Sequence, residues 1–178
     1  MTGDISNLSI IKDIVLAIAA FTGMGLGLYN LWSEKQKDKV KLEVIPKSIK
    51  KQGVSTSGQE FVHTTANEFN FNQATRLYAF EIINHSKFDI TIDEIGFLNS
   101  KTNGRDSIPE PIVRDDGKWP RKLEPRASVT VYADLPSILN IKHLPFITSA
   151  FARTSCNYTE TGTSDSLKQL IQYAKKCA

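Results

Sequence analysis

The chain has 178 residues, with 22 lysines and arginines, 19 acidic residues and two cysteines. This length allows one membrane anchor and one domain with a single ordinary core. The net charge of +3 is too small and too local to predict a nucleic-acid-binding surface, so we expect no DNA partner. Two cysteines without a CxxC motif indicate free thiols in a reducing compartment, and we expect Cys156 in the core.

Residues 14–32 read IVLAIAAFTGMGLGLYNLW and contain no charged side chain. As a helix with a rise of 1.5 Å per residue, they would cover roughly 28 Å, about the hydrocarbon thickness of a bilayer. The buried helix of a soluble domain would normally have a polar face, and this stretch has none. A cleaved secretory signal would begin with positive charge, whereas residues 1–13 are polar and slightly acidic. We therefore expect a retained transmembrane helix over 14–32 and a short extracytoplasmic segment before it.

Small residues follow one face of this predicted helix. Ala19, Gly23 and Gly27 recur at four-residue spacing, which places them on the same side of a helix. Small side chains at this spacing allow two membrane helices to approach closely. Glycine is also common in membrane helices without such a role. The pattern leads us to expect helix–helix packing through this face and a homo-oligomer.

Lysines cluster directly after the predicted span. Residues 33–51 contain seven lysines and three acidic residues, whereas residues 52–178 contain equal numbers of basic and acidic side chains. By the positive-inside rule, this asymmetry predicts an inner-membrane protein with its N-terminus outside and its C-terminal domain in the cytoplasm. A basic juxtamembrane segment also attracts anionic lipid headgroups. We expect these contacts from Lys35, Lys37, Lys39 and Lys41.

Residues 40–178 show mainly the alternation of polar and apolar side chains that is typical of half-buried strands. The patterns cover residues 40–44, 77–83, 88–98, 128–133 and 146–156. Pro46 limits the first strand or makes it an edge strand. Residues 52–75 are polar and predict a long loop or a weak hairpin. Near the C-terminus, Ser164 and its neighbours can cap a short helix with one apolar stripe, formed by Leu167, Leu170, Ile171 and Ala174.

Turn residues separate these patterns. Asn84 to Lys87 predict a hairpin turn, and Gly96 predicts a bulge or a corner between sheets. Asn103-Gly104 and Asp116-Gly117 are tight-turn signals. Short strands about ten residues apart, joined by such turns, favour an all-β, antiparallel immunoglobulin-like sandwich. The transmembrane helix and the short C-terminal helix are additions to that sandwich.

Three pieces of the sequence carry a resemblance: residues 83–86 (INHS), 90–97 (ITIDEIGF) and 119–129 (WPRKLEPRASV). They are similar to small uncharacterised bacterial and phage membrane-anchored proteins. In those proteins, an uncharged N-terminal span precedes a sandwich domain that looks immunoglobulin-like. The resemblance covers about a third of the chain and implies a fold but no activity. It implies structural roles for Asn84, Ser86, Gly96, Pro125 and Ser128.

The sequence contains no catalytic motif, and we expect neither an enzyme nor a cofactor. The three histidines lie far apart without ligand spacing, and the carboxylates near residues 89–94 and 115–116 do not match a calcium loop, so we expect no metal. One basic segment with an indole could bind a phosphate and stack on a base. Its candidate residues are Arg114, Lys118, Trp119, Arg121, Lys122 and Arg126. The alternative is a solvated hairpin whose Trp119 covers the edge of the sandwich.

These observations leave two functional expectations. The first is a membrane-anchored, non-enzymatic interaction module whose cytoplasmic domain binds a protein partner, as a homo-oligomer. The second is a ligand-gated membrane effector of antiviral defence, in which a cyclic oligonucleotide binds the domain and reorganises the spans. That coupling would require the ligand to favour one oligomeric arrangement over another.

Overall fold

The computed structural model describes residues 4–37, 39–58, 60–69, 71, 76–101, 104–115 and 117–177. The chain forms two separate units, Met1–Lys39 and Val40–Ala178. The first unit is a helix, and the second, which we call the body, is mostly antiparallel sheet.

The first unit contains the single long helix α1, Asp4–Lys37. The helix is longer than the predicted span at both ends, because the polar residues on either side are compatible with helix. Its segment Lys12–Lys35 is long and apolar enough to cross a membrane. The large apolar side chains of this segment are exposed, from 53% at Ile14 to 70% at Phe21. An apolar surface of this length without a polar face is unfavourable in water.

The described residues of the body form ten strands in two antiparallel sheets. The first sheet has the order β2-β1-β3-β8-β6, with β1 at Leu42–Val54, β2 at Glu60–Thr65, β3 at Leu77–Asn84, β6 at Ile112–Val113 and β8 at Ser128–Asp134. The second has the order β10-β9-β4-β5, with β4 at Ile90–Asn99, β5 at Arg105–Ser107, β9 at Ile147–Thr154 and β10 at Thr159–Gly162. Strand β7, Arg121–Leu123, pairs with β4.

Strand β1 is long enough to serve two partners. Its first half pairs with β3 from Leu42 to Ser48, and its second half pairs with β2 from Ser48 to Val54. Pro46 lies in the half that pairs only with β3, which is consistent with the predicted edge character. The polar region after residue 52 therefore contains a hairpin, one of its two predicted forms.

One hydrophobic core joins the two sheets. Alternate residues of β3, including Phe80, face alternate residues of β4, including Phe97, and these two rings lie 5.3 Å apart between centroids. Both side chains are fully buried. Because the period of a strand is two, this alternation is what the sequence pattern predicts. The core therefore lies between the sheets.

A bulge in β4 keeps its apolar residues on the core side. Ile92 pairs with Thr154 and Glu94 pairs with Arg153, so Asp93 is an extra residue that shifts the alternation by one. The prediction of a bulge at Gly96 was wrong in position. Gly96 is required for another reason, since a Cβ atom there would lie 2.2 Å from the carbonyl oxygen of Asp106 on β5.

The segment after Asn84 connects the two sheets, and the prediction of a hairpin there was wrong. Strand β3 belongs to the first sheet and β4 to the second, so the chain crosses over between them. The buried Asn84 amide shapes this crossover. Its Nδ2 atom donates to the carbonyl oxygens of Phe88 (2.9 Å), Leu123 (3.2 Å) and Glu124 (3.0 Å), while its Oδ1 accepts from the backbone N–H of Ser86 (2.8 Å).

Helices α2 and α3 pack on the sheets, and a 3₁₀ turn covers Leu144–Phe146. Helix α2, Leu135–Leu139, follows β8 directly and was not predicted. Helix α3, Asp165–Cys177, is confirmed as the predicted C-terminal helix, since Ser164 Oγ accepts the N–H of Leu167 at 3.1 Å as its cap. All four residues of its predicted stripe are buried. Asn103 and Asp116, in the two predicted tight turns, lie outside the described residues.

Replacing Asn84 by alanine tests the role of the crossover. We expect Asn84→Ala to lower the free energy of unfolding of the body by about 3 kcal/mol, because buried carbonyls lose their donor. Urea unfolding of the detergent-solubilised chain, followed by circular dichroism, measures this change. Asn140→Ala is the control, since Asn140 is exposed after α2. Equal effects of the two substitutions would contradict the assigned role.

Candidate functional site

The structure separates the six residues of the predicted basic cluster. Arg114 follows β6 and reaches across the first sheet to Glu60, with Nη1 3.3 Å from Oε2. Its guanidinium lies 5.3 Å from the centroid of the Tyr132 ring. With Gln52, Gly53, Val54 and Glu60, it lines a shallow cavity of about 220 Å³. This side chain therefore belongs to the face of the first sheet.

Lys118, Trp119 and Arg121 form a second group, in the loop that leads into β7 and at the first residue of that strand. Trp119 is half-buried and packs against the core, as the solvated-hairpin alternative requires. The Arg121 guanidinium forms an ion pair with Asp115, while Lys118 is exposed. The buried Nε of Arg121 has no hydrogen-bond partner among the described residues. One cation of this loop is thus already neutralised.

Lys122 and Arg126 lie in two further places. Lys122 Nζ forms an ion pair with Asp89 at 2.6 Å, and this contact raises the pKa of the lysine. Arg126 is exposed in the turn before β8, with a positive φ of 61°. Three of the six cationic or aromatic candidates therefore face carboxylates of the protein, and a phosphate would have to compete with them. The nucleotide site stays a prediction.

The predicted packing face of α1 is open. Ala19 is exposed, and a Cβ atom built at Gly23, Gly25 or Gly27 would meet nothing within 4 Å. Close contacts with the described residues therefore do not explain the glycines of this helix. Gly25 lies on another side of the helix from Gly23 and Gly27, which makes it a natural reference position.

The lysines predicted to contact lipid headgroups are accessible where the structure describes them. Lys35, Lys39 and Lys41 are exposed. The side chain of Lys37 lies outside the described residues. Lys41 directly precedes β1, and its backbone is anchored, since its N–H donates to Ser86 Oγ at 2.7 Å.

The sequence did not reveal an apolar patch on the face of the first sheet that points away from the core. Ile49, Ala79 and Tyr132 form a small buried cluster there, supported by Val62 and Leu77. Residues of β3 and β8 on either side of them in the chain face the main core, so this cluster lies on the opposite face. Pairwise register places these residues together although they are distant in sequence, and the sequence alone could not show that.

Two exposed apolar residues extend this cluster. Ile112 pairs with Tyr132 across β6 and β8 and is 44% exposed, and Val54 pairs with Glu60 and is 64% exposed. We call the cluster together with these two residues the outer apolar patch. The outer faces of antiparallel sheets are commonly polar. Aromatic and arginine side chains beside exposed apolar groups are typical of protein interfaces.

Burial and hydrogen bonding shift the pKa values of two groups in the body, Tyr78 and Cys156. Burial raises the pKa of Tyr78, whose hydroxyl lies 3.3 Å from Ser166 Oγ. The prediction that Cys156 lies in the core was wrong, because it sits exposed in the turn after β9. A hydrogen bond with Thr154 Oγ1 at 3.0 Å lowers the pKa of this thiol. Within the part of the chain that the structure describes, no group of three histidine, cysteine or acidic side chains could hold a metal ion.

No protein-family model matches the sequence, and comparison with curated proteins gives no match either.

Proposed function

We propose that the protein is a membrane-anchored, non-enzymatic interaction module whose body binds a protein partner. The exposed apolar surface of α1 carries this proposal. A helix whose large side chains are all more than half exposed over Lys12–Lys35 needs an apolar environment, and a bilayer matches its length. The two sheets with one shared core support an immunoglobulin-like sandwich as the form of the body.

The charge distribution supports one orientation of this anchor. Lysines follow the apolar segment, and residues before it are slightly acidic. We place the N-terminus outside the inner membrane and the body in the cytoplasm. The lysines on the cytoplasmic side would then lie at the level of anionic headgroups.

A charge at the centre of the span tests the anchor. We expect the native chain to remain with membranes after alkaline carbonate extraction, and Met24→Arg to release much of it. Arginine at the centre of a span costs about 2.5–3.5 kcal/mol on insertion scales. Ser33→Arg, near the end of the helix, is the control and should remain in the membrane. A C-terminal reporter reads the orientation, and a periplasmic signal would contradict it.

The outer apolar patch is the surface that best fits a protein partner. Exposed Ile112 and Val54 flank the Arg114–Glu60 ion pair, and Tyr132 lies under the guanidinium. Truncation of arginine and tyrosine at the centres of interfaces often has the largest effects on affinity. A partner covering the patch would remove the two exposed aliphatic side chains from water.

A photocrosslinking residue placed at Ile112 in cells locates the partner. We expect a covalent adduct of defined mass from Ile112 and none from the same residue at Phe146. Phe146 is a matched control because it is 40% exposed, close to the 44% of Ile112. The adduct at Ile112 should disappear when Val54→Asp is added. The same adducts from both positions, or none from Ile112, would contradict the assignment.

Self-association through α1 completes the proposal. The open face formed by Ala19, Gly23 and Gly27 suits close contact between two copies of the helix. We expect Gly23→Leu with Gly27→Leu to reduce the mass of the solubilised oligomer, whereas Gly25→Leu leaves it unchanged. Light scattering of the full chain in detergent measures the mass. An unchanged mass in the double variant would rule out this face.

Light scattering of the full chain in detergent also distinguishes the second candidate function from the first. A ligand-gated effector of antiviral defence requires a cyclic oligonucleotide to stabilise one oligomer, so a mass that changes with one nucleotide of a panel would favour it. Exposed Lys118 beside Trp119 is the observation in its favour. The carboxylates that face Arg114, Arg121 and Lys122 weigh against it.

A further inference from the structure

Three segments meet at one end of the body, where residue 40 begins the domain. The backbone N–H of His85, in the crossover, donates to the carbonyl oxygen of Lys41 at 2.8 Å. The N–H of Asn84 donates to the carbonyl of Ala127, in the turn before β8, at 2.9 Å. We call this region, formed by residues 40–41, 85–89 and 122–127, the proximal end. Its parts are distant in sequence but are fixed to one another by hydrogen bonds.

The proximal end carries unpaired positive charge. Lys41, Lys87 and Arg126 are exposed, one from each segment, and none of them has an ion-pair partner among the described residues. The positive φ of Arg126 belongs to a tight turn in which Ala127 N–H donates to the Glu124 carbonyl. The long side chain of Arg126 therefore projects from a turn that is closed by a hydrogen bond.

Most of the nearby acidic groups already have partners. Glu43 lies 2.8 Å from His85 Nε2, and Asp89 lies 2.6 Å from Lys122 Nζ. Glu124 is the remaining carboxylate of the proximal end. Within these segments, three cations without an ion-pair partner stand against one such carboxylate, so this surface has an excess of positive charge and is complementary to an anionic one.

We propose that the proximal end docks on anionic lipid headgroups through Lys41, Lys87 and Arg126. This inference rests on the proposed membrane span. An extended chain covers at most about 3.6 Å per residue, so residues 38–41 keep Lys41 within about 15 Å of Lys37, the last residue of α1. Each cation near an anionic surface changes the ratio of docked to undocked body by about fivefold. The two cations contributed by distant loops would fix the body's orientation, which lysines in a linker cannot do.

Energy transfer from the body to the membrane surface tests this orientation. Cys156 lies near the proximal end, since Ser155 N–H donates to the carbonyl of Thr91 and Thr91 pairs with Lys122. A donor dye on Cys156, in a Cys177→Ser chain, reports its distance to headgroup-labelled acceptor lipid. The full chain is reconstituted in vesicles of phosphatidylcholine alone or with added phosphatidylglycerol. We expect greater transfer with phosphatidylglycerol, and loss of that gain at high salt.

Charge reversal identifies the residues. Lys41→Glu with Lys87→Glu and Arg126→Glu should abolish the gain. The control reverses Lys142, Lys175 and Lys176, which are exposed near the far end of the body, where Ile147 pairs with Asn99. It has the same charge change and should keep the gain.

Two results would overturn the proposal: equal transfer in both vesicle types, or equal loss in both variants. If the native chain binds a labelled oligonucleotide and charge reversal at the proximal end abolishes that binding, the surface would be assigned to nucleic acid. This result would also overturn the proposal. Carbonate extraction of the same samples is independent of these readings. Release of the chain by carbonate would contradict the proposed membrane span. Retention of the chain without the lipid effect would contradict only the proposed docking surface.

Discussion

The body depends on one buried amide. Asn84 ends a strand of the first sheet, and its side chain bonds to the start of the second sheet and to the turn that leads back to the first. The bond to the Leu123 carbonyl is buried and the other two are partly buried, where an unpaired group is costly and a paired one is held firmly. The crossover, the turn at residues 124–127 and the beginning of β1 consequently occupy fixed positions, and the proximal end is a defined surface rather than a set of loops.

The two units of the chain differ in whether their large apolar side chains are buried. In the body, the large inward-facing side chains of both sheets are buried in one core, and seven lysines and arginines of the described residues pair with carboxylates. In α1, comparable side chains remain exposed along the whole apolar segment. The proposal of a membrane span rests on this contrast, because an apolar surface of that length is unfavourable in water and matches the thickness of a bilayer.

Much of the fold could be predicted from local pattern. Period-two alternation located five of the longer strands, and an apolar stripe with a serine cap located α3. Strands of two to four residues, such as β6 and β10, are too short for periodicity to appear. The turn at Asn84 was identified, but its role as a crossover depends on pairing with distant strands. The same limit applies to the basic cluster, because the partner of Arg114 is Glu60, on a strand that the sequence did not specify.

The division of β1 between two partners has a mechanical consequence. A pull applied to the chain at Leu42 along the axis of β1, and resisted by the rest of the first sheet, would act on this strand first. Its ladder with β3, seven residue pairs long, would be loaded in shear, so several hydrogen bonds would resist together rather than open one after another. Tension from the bilayer would therefore be carried into the middle of the first sheet, with the outermost strand, β2, bearing little of it.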